Sequence, residues 1–414
     1  MHRPARRAPA TILARTTALA SVLALPPVLA ATPVHAAAPG PRDLATPRRL
    51  TLTQALALAR AEDAPLAAAD ERLADATTEA ARTYPFNPFV QFQVLPYTSA
   101  GAHLVADYIL VMQTLELGRQ HRWRRAAGRA SADQLRAARD QAQLAEAVAV
   151  ARLFFAALYQ RGLHELARRR LALADEPPPP AVPPAADQRV LDLLARQALR
   201  NDLELAALAR ADAESLLALR LRLPVGAPLD LVGDLGTWPW PRLPPAPLLD
   251  LPHPDLAALD AASAAARASW NLARAARIPS LAIGPYYQRS AAGDTSVGFR
   301  GQVELPVLNA GRRLERLRAA DLARRELAAA RAREDQARRA ALARTRYARL
   351  LTLALGFRAD LDAAIAGATD SLALRDAHLR AERVQLDLMF QVAQAAVDLG
   401  ESTDLQTDAL GLQP

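Results

Sequence analysis

The two halves of this 414-residue chain repeat one order of motifs, and this duplication limits the possible folds more than any other feature. A short strand-like stretch starts near Pro88, and a second one starts near Pro279. Gly118 follows the first proline by 30 residues, and Gly311 follows the second by 32. Each glycine precedes a very long segment rich in Ala, Leu and Arg. The repeat predicts, in each half, a helix, a β-hairpin, a long helix, a turn and a returning helix.

The repeat also sets the expected domain boundaries. Residues 37–240 form the first structural repeat, with strands at about 89–117 and a long helix from residue 119. Residues 241–414 form the second repeat, with strands at about 281–306 and a long helix from residue 312. The Pro-rich stretch 223–254 between them cannot be one continuous helix. The expected fold class is mainly α with a small β part.

The second long helix has a narrow apolar face. From Arg312 to about Leu379 it would be about 100 Å long, at about 1.5 Å per residue. Its apolar positions recur every three or four residues, and arginine and acidic residues occupy the rest. These positions are Leu314, Leu317, Ala320, Ala323 and Leu327. Such a narrow face favours coiled-coil packing over burial in a globular core.

Residues 1–36 have the composition of a secretory signal peptide. An Arg-rich start is followed by the apolar run Ala18–Leu25 and then by Val34-His35-Ala36, which predicts cleavage after Ala36. The alternative, an N-terminal membrane anchor, is disfavoured because the apolar run is too short to span a bilayer. Since no later segment has about 18 unbroken apolar residues, we expect no transmembrane helix.

Composition excludes several classes of function. The formal net charge of +8 includes four arginines of the leader, so the mature chain carries about +4, which argues against a nucleic-acid partner. No cysteine is present, which excludes disulfides and thiolate chemistry. The sequence has no Gly-rich phosphate loop, nucleophile elbow or paired-His metal motif. We therefore expect no enzyme activity, no cofactor and no metal site.

The second hairpin contains the clearest amphipathic strand, from Ser296 to Leu305. Its apolar side chains are predicted to face lipid: Val297, Phe299, Val303 and Leu305. Its polar side chains are predicted to face a wet lumen: Arg300, Gln302 and Glu304. This alternation is typical of a transmembrane barrel strand. Two soluble hairpins packed on helices would also alternate and remain the alternative.

Four strands per chain raise a question of closure. Every backbone group in lipid must be paired, so a spanning sheet has to close on itself. The smallest common barrels have eight strands, and four strands cannot close. If these hairpins span a membrane, several copies must share one barrel.

The order of these motifs resembles the TolC family of outer-membrane efflux proteins, and the resemblance covers nearly all of the mature chain. Its carriers in the first half are Leu52-x-x-Ala55-Leu56-x-x-Ala59, Asn87-Pro88 and residues 113–119, QTLELGR. Its carriers in the second half are Pro254-Asp255-Leu256, Pro279-Ser280-Leu281 and residues 305–313, LPVLNAGRR. The first glycine motif, followed by His121-Arg122-Trp123-Arg124, is most similar to the heavy-metal cation branch.

The resemblance implies a homotrimer in the outer membrane. Three chains would contribute twelve strands to one β-barrel, and their long helices would form a periplasmic tunnel. The tunnel would dock a periplasmic adaptor (membrane-fusion) protein and an inner-membrane pump, and export would be passive. The alternatives are a periplasmic coiled-coil scaffold and a degenerate TolC-like protein without a working pore.

The resemblance also implies roles for particular residues. Gly118 and Gly311 would form the turns between barrel and helix. Asp387 matches an aspartate that constricts the helical tip, Arg383 matches a latch arginine, and Asp192 matches its acidic partner in the first half. The competing interpretation is that these three are ordinary charges at a solvated turn.

Overall fold

The computed structural model describes residues 48–99, 102–176, 186–224, 226–240, 243, 253–303, 311–366 and 371–403. Six helices carry most of these residues: α1 Leu52–Arg82, α2 Gln120–Asp175, α3 Ala186–Arg220, α4 Pro254–Ala275, α5 Arg312–Ala366 and α6 Leu372–Thr403. Six strands complete them: β1 Arg48–Leu50, β2 Phe89–Ser99, β3 Ala102–Glu116, β4 Leu229–Leu231, β5 Ser280–Arg289 and β6 Thr295–Val303. The predicted signal peptide, residues 1–36, lies outside the described residues.

Each half of the chain follows the duplicated plan. The first half runs α1, β2, β3, α2, α3, and the second runs α4, β5, β6, α5, α6. The expected fold class, mainly α with a small β part, is confirmed.

The predicted end of the second long helix is wrong. Instead of continuing to about Leu379, α5 ends at Ala366 after 55 residues, about 82 Å of helix rise. A new helix begins at Leu372, because the Ser371 hydroxyl accepts a hydrogen bond of 3.2 Å from the Leu374 amide. This arrangement is an N-cap, which satisfies a backbone donor that the first turn of a helix leaves unpaired.

The two hairpins join into one antiparallel sheet in the order β2-β3-β5-β6. Tyr108 pairs with Gln93 of β2 on one side and with Gln288 of β5 on the other. Within the described residues, β2 and β6 each pair with a strand on one side only. A separate two-stranded sheet pairs β1 with β4 in parallel.

The helices form a wall with α2 at its centre. At one end the order is α1-α2-α4-α5, and at the other it is α3-α2-α6-α5. Ion pairs join neighbours along the wall, including Arg136 to Glu71 at 2.8 Å and Arg277 to Glu315 at 2.9 Å. The edges of the wall are therefore α1 and α3 on one side and α5 on the other.

The core lies where the loop between α3 and α4 crosses the wall. Phe154 and Phe155 of α2 are fully buried, and Phe155 contacts the ring of Trp238 with centroids 5.2 Å apart. The Arg161 guanidinium donates hydrogen bonds to the Leu231 and Gly233 carbonyls of the loop. Together these contacts hold the loop against α2.

Among the described helices, α2 alone is long and apolar enough to cross a membrane by length and composition. Its apolar stretch contributes much of the core: Val148, Val150, Ala151, Phe154, Phe155, Ala157 and Leu158 are buried. Burial in this core explains part of the apolar character of the stretch.

Candidate channel wall

The four-stranded sheet has one continuous apolar face. Side chains directly opposite each other on paired strands lie on the same face. Val297 pairs with Tyr287, and Phe299 pairs with Pro285. Val297 is 78% exposed and Phe299 is 80% exposed, so no described part of the chain covers them. The same face continues across β2 and β3 through the exposed residues Val90, Phe92, Ile109 and Val111.

The other face of the sheet is more polar. Arg300 of β6 donates a hydrogen bond of 3.2 Å to the hydroxyl of Tyr108, and Tyr108 stacks on Tyr286 with centroids 6.0 Å apart. Gln302 lies on this face opposite Ala282. The structure therefore puts Val297, Phe299 and Val303 on one face and Arg300 and Gln302 on the other. Leu305 and Glu304 lie outside the described residues.

A pair of opposite charges interrupts the apolar face near the hairpin turns. Asp107 of β3 is directly opposite Arg289 of β5. The next pair on this face in the direction of the helices is Ile109 with Tyr287. A charged pair is costly inside a hydrocarbon layer and tolerated at its edge.

The left-handed backbone conformation is adopted by different residues of the two glycine motifs. Gly311 itself has the left-handed conformation, with φ of 67°. In the first half the left-handed residue is Arg119, with φ of 55°. Gly118 is required for a different reason: a Cβ at that position would lie 2.5 Å from the Ala275 carbonyl oxygen. The sequence pattern did not distinguish these two roles.

Asp387 lies in the interior of α6 and not beside a helix break. It is 15 residues from the start of α6, about 22 Å along the axis. Its carboxylate accepts a hydrogen bond of 2.7 Å from the hydroxyl of Tyr159 on α2. Burial, reinforced by this bond, raises the pKa of Tyr159 to about 12, and the charge of Arg383 opposes the rise. Asp387 therefore joins α2 to α6 within one chain.

Arg383 is exposed and lies at a junction of three helices. It lines a cavity of about 180 Å³ between α2, α3 and α6. The acid of α3 that lines the same cavity is Asp202. Asp192 is ten residues earlier on α3, about 15 Å along its axis, where it is exposed. The structure therefore brings Arg383 close to Tyr159 and Asp202.

Sequence reasoning missed Tyr159 and Asp202. Asp202 lies on α3 and Arg383 lies on α6, so their proximity depends on how both helices pack on α2, and no local motif reports that packing. No motif indicated Tyr159. Within the described residues, no group of three His, Cys, Asp or Glu side chains could hold a metal ion.

Comparison with known proteins defines the class of fold. No protein-family model and no curated protein matches the sequence. The outer-membrane channel OprN has a TM-score of 0.66 at 17% identity, over 88% of this chain and 91% of its own. The open-state MtrE outer-membrane channel of Neisseria gonorrhoeae has a TM-score of 0.62 at 20% identity, over 87% and 89%. CusC, solved in a study of transmembrane channel formation, has a TM-score of 0.58 at 16% identity, over 88% and 96%.

These likenesses extend over nearly the whole of each structure. They show that the chain has the TolC-like fold of outer-membrane channels, as the motif order predicted. The structures with this fold include CusC, OprN and MtrE, so the fold does not select the heavy-metal branch.

Proposed function

We propose that the chain is the outer-membrane channel component of a tripartite efflux system, a passive duct from the periplasm to the exterior. The observation that carries this proposal is the two-faced sheet, whose exposed apolar face and polar face continue across all four strands. A barrel between lipid and water needs both faces. The alternative, two soluble hairpins packed on helices, would cover the apolar face, whereas Val297 and Phe299 are exposed.

Three copies of the chain are proposed to share one barrel of twelve strands. The free edges of β2 and β6 support this, because an open sheet edge in lipid would leave backbone groups unpaired. The partners then follow from the fold class: outer-membrane lipid around the barrel, and a periplasmic adaptor and an inner-membrane pump at the helical end.

Heavy-metal cations are the proposed cargo. The support is the first glycine motif with His121-Arg122-Trp123-Arg124. A channel for such cations needs no tight chelating site, because tight binding slows release.

Asp387, Arg383 and Asp192 are proposed to control the bore. Three copies of Asp387 around one axis would favour cations through their summed negative potential. The bond from Tyr159 and the proximity of Arg383 support a role for Asp387 in holding α2 against α6 as well. Asp192 would act nearer the tip, at the start of α3.

Planar-bilayer recording of the purified full-length protein tests the proposal. We expect discrete conductance steps, with lower cation preference for Asp387→Ala and higher conductance for Arg383→Ser. Membrane fractionation of the producing cells is the companion measurement. A protein that stays in the soluble fraction and conducts nothing is a periplasmic scaffold, and the proposal fails.

A further inference from the structure

Helix α3 has an apolar face that no other part of the described chain covers. The face is formed by exposed residues that recur every three or four positions along α3. Most of them are leucines, with Leu205 65% exposed and Leu219 69% exposed. The face consists mainly of Leu191, Leu194, Leu205, Leu208, Asp212 and Leu219. The opposite side of α3 packs on α2. A face with this spacing over four heptads is suited to one further helix.

Helix α5, at the other edge of the wall, has a second exposed face. Its residues Tyr347 and Ala354 are buried, whereas Leu342 on the opposite side is 71% exposed. The exposed face consists of Leu342, Thr345, Arg349, Thr352 and Gly356. A Cβ at Gly356 would meet nothing within 4 Å, so this position offers open space to a large side chain.

The two faces lie at the same height in the wall. Arg220 of α3 is bonded to Glu146 of α2, so Asp212, eight residues earlier, is level with about residue 154 of α2. Arg152 of α2 and Arg346 of α5 both bond Asp398 of α6. Residue 154 of α2 is therefore level with about residue 348 of α5. Because α3 and α5 run in opposite directions, Asp212 and Arg349 come to the same level.

The charges on the two faces are complementary. Asp212 is the acid within the α3 face, and Arg349 is the base within the α5 face. Within the described part of the chain, neither forms an ion pair. A charge set among leucines is costly to bury unless an opposite charge meets it.

We propose that α3 of one copy packs along α5 of a second copy, with Asp212 opposite Arg349 of the second copy. This inference rests on the proposed multi-copy channel and specifies its helical interface. In this register Leu219 meets the second copy's Leu342, and Leu205 meets its Gly356. The contact is heterologous, so repeating it closes a ring when the rotation between copies divides a full turn. The charge pair fixes the register, because a slip of one helical turn buries both charges unpaired.

Cysteine cross-linking tests the register directly, and the chain has no native cysteine to interfere. The variant carrying both Leu219→Cys and Leu342→Cys should form disulfides between copies on mild oxidation. The matched control is Leu193→Cys with Leu342→Cys. Leu193 is 66% exposed, but it lies 26 residues from Leu219, about 39 Å along α3, so this pair should not link. Equal linking of both pairs would overturn the register.

Charge reversal tests the ion pair. Asp212→Arg alone and Arg349→Asp alone each put like charges together in the interface, which is unfavourable when solvent is excluded. We expect each to reduce the oligomer recovered in detergent by roughly tenfold or more. The double variant, D212R with R349D, should restore it. Oligomer levels that are unchanged in both single variants would overturn the pairing.

The outcomes separate this inference from the function on which it rests. If the wild-type oligomer conducts but the variants contradict the register and the ion pair, the proposed channel stands and this interface is eliminated. A wild-type chain that is monomeric in outer membranes eliminates the channel and the interface together.

Discussion

Tyr159 and Asp387 lie on different helices, and their hydrogen bond joins α2 to α6. The sequence selected Asp387 by its resemblance to a constriction aspartate and placed it beside a helix break. In the structure α5 ends at Ala366 and α6 begins at Leu372. The error has a physical cause: in a sequence dominated by Ala, Leu and Arg, a serine that caps a new helix is a weak signal. A tyrosine that binds a carboxylate across 228 residues leaves no local pattern at all.

The first residue-scale prediction concerns the proton of Tyr159. Its pKa of about 12 means that the folded state holds this proton more tightly than the unfolded state, where the value is about 10. The resulting stability is fully present below pH 10 and is lost as pH rises through 12. Titration of tyrosinate absorbance should show a late component that Tyr159→Phe removes. Burial raises the pKa of Tyr347 as well, so a later component from Tyr347 should remain in Tyr159→Phe. An unchanged titration curve for Tyr159→Phe would contradict the assignment.

The second residue-scale prediction concerns the turn between β3 and α2. Gly118→Ala pushes a Cβ against the Ala275 carbonyl oxygen, and we expect a loss of about 1–3 kcal/mol in the free energy of unfolding. Arg119→Gly is the matched control, because it relieves a left-handed residue and should leave stability within about 1 kcal/mol of the wild type. Unfolding of the detergent-solubilised protein measures both. If Gly118→Ala were as stable as Arg119→Gly, the close approach of residue 118 to the Ala275 carbonyl would not contribute to stability.

At the scale of elements, alternation along β6 predicted which side chains share a face, because successive residues in a strand must point to opposite sides. The order β2-β3-β5-β6 did not follow from alternation. It depends on pairing between strands more than 160 residues apart, such as Leu115 with Leu281. The order of helices in the wall is set by long-range packing in the same way, which is why the sequence did not reveal Asp202 as a neighbour of Arg383.

The element-scale prediction is a labelling pattern along β6. Single cysteines replacing Val297 and Phe299 should react with a lipid-soluble thiol probe, because both side chains are on the exposed apolar face. Cysteines replacing Arg300 and Gln302 should react with a water-soluble probe, because they are on the polar face. The protein should be labelled in intact outer membranes. Identical reactivity at all four positions would indicate a soluble hairpin.

At the scale of the whole molecule, the duplication predicted the class of fold. Two copies of a helix, hairpin and long-helix unit leave few ways to bury the apolar seams and pair the strands. Within the described residues, the strands β2 and β6 each pair on one side only, and the wall ends at α1 and α3 on one side and at α5 on the other. The α3 edge also has an exposed apolar face. The proposed assembly of several copies would cover these surfaces.

The first whole-molecule prediction concerns export. The mature protein should begin near Ala37 and carry no lipid, because residues 1–36 have the pattern of a signal peptide and no cysteine is available for lipidation. Terminal sequencing of protein from outer membranes measures this. Protein assembled in the membrane that still starts at Met1 would contradict cleavage.

The central claim is that several chains enclose one pore, and native mass measurement of the protein extracted from outer membranes tests it most directly. Four strands per chain and twelve in the proposed barrel predict a complex of three copies. The mass should therefore equal three mature chains. A stable complex that contains a single chain would contradict the account, since four strands cannot close a barrel in lipid.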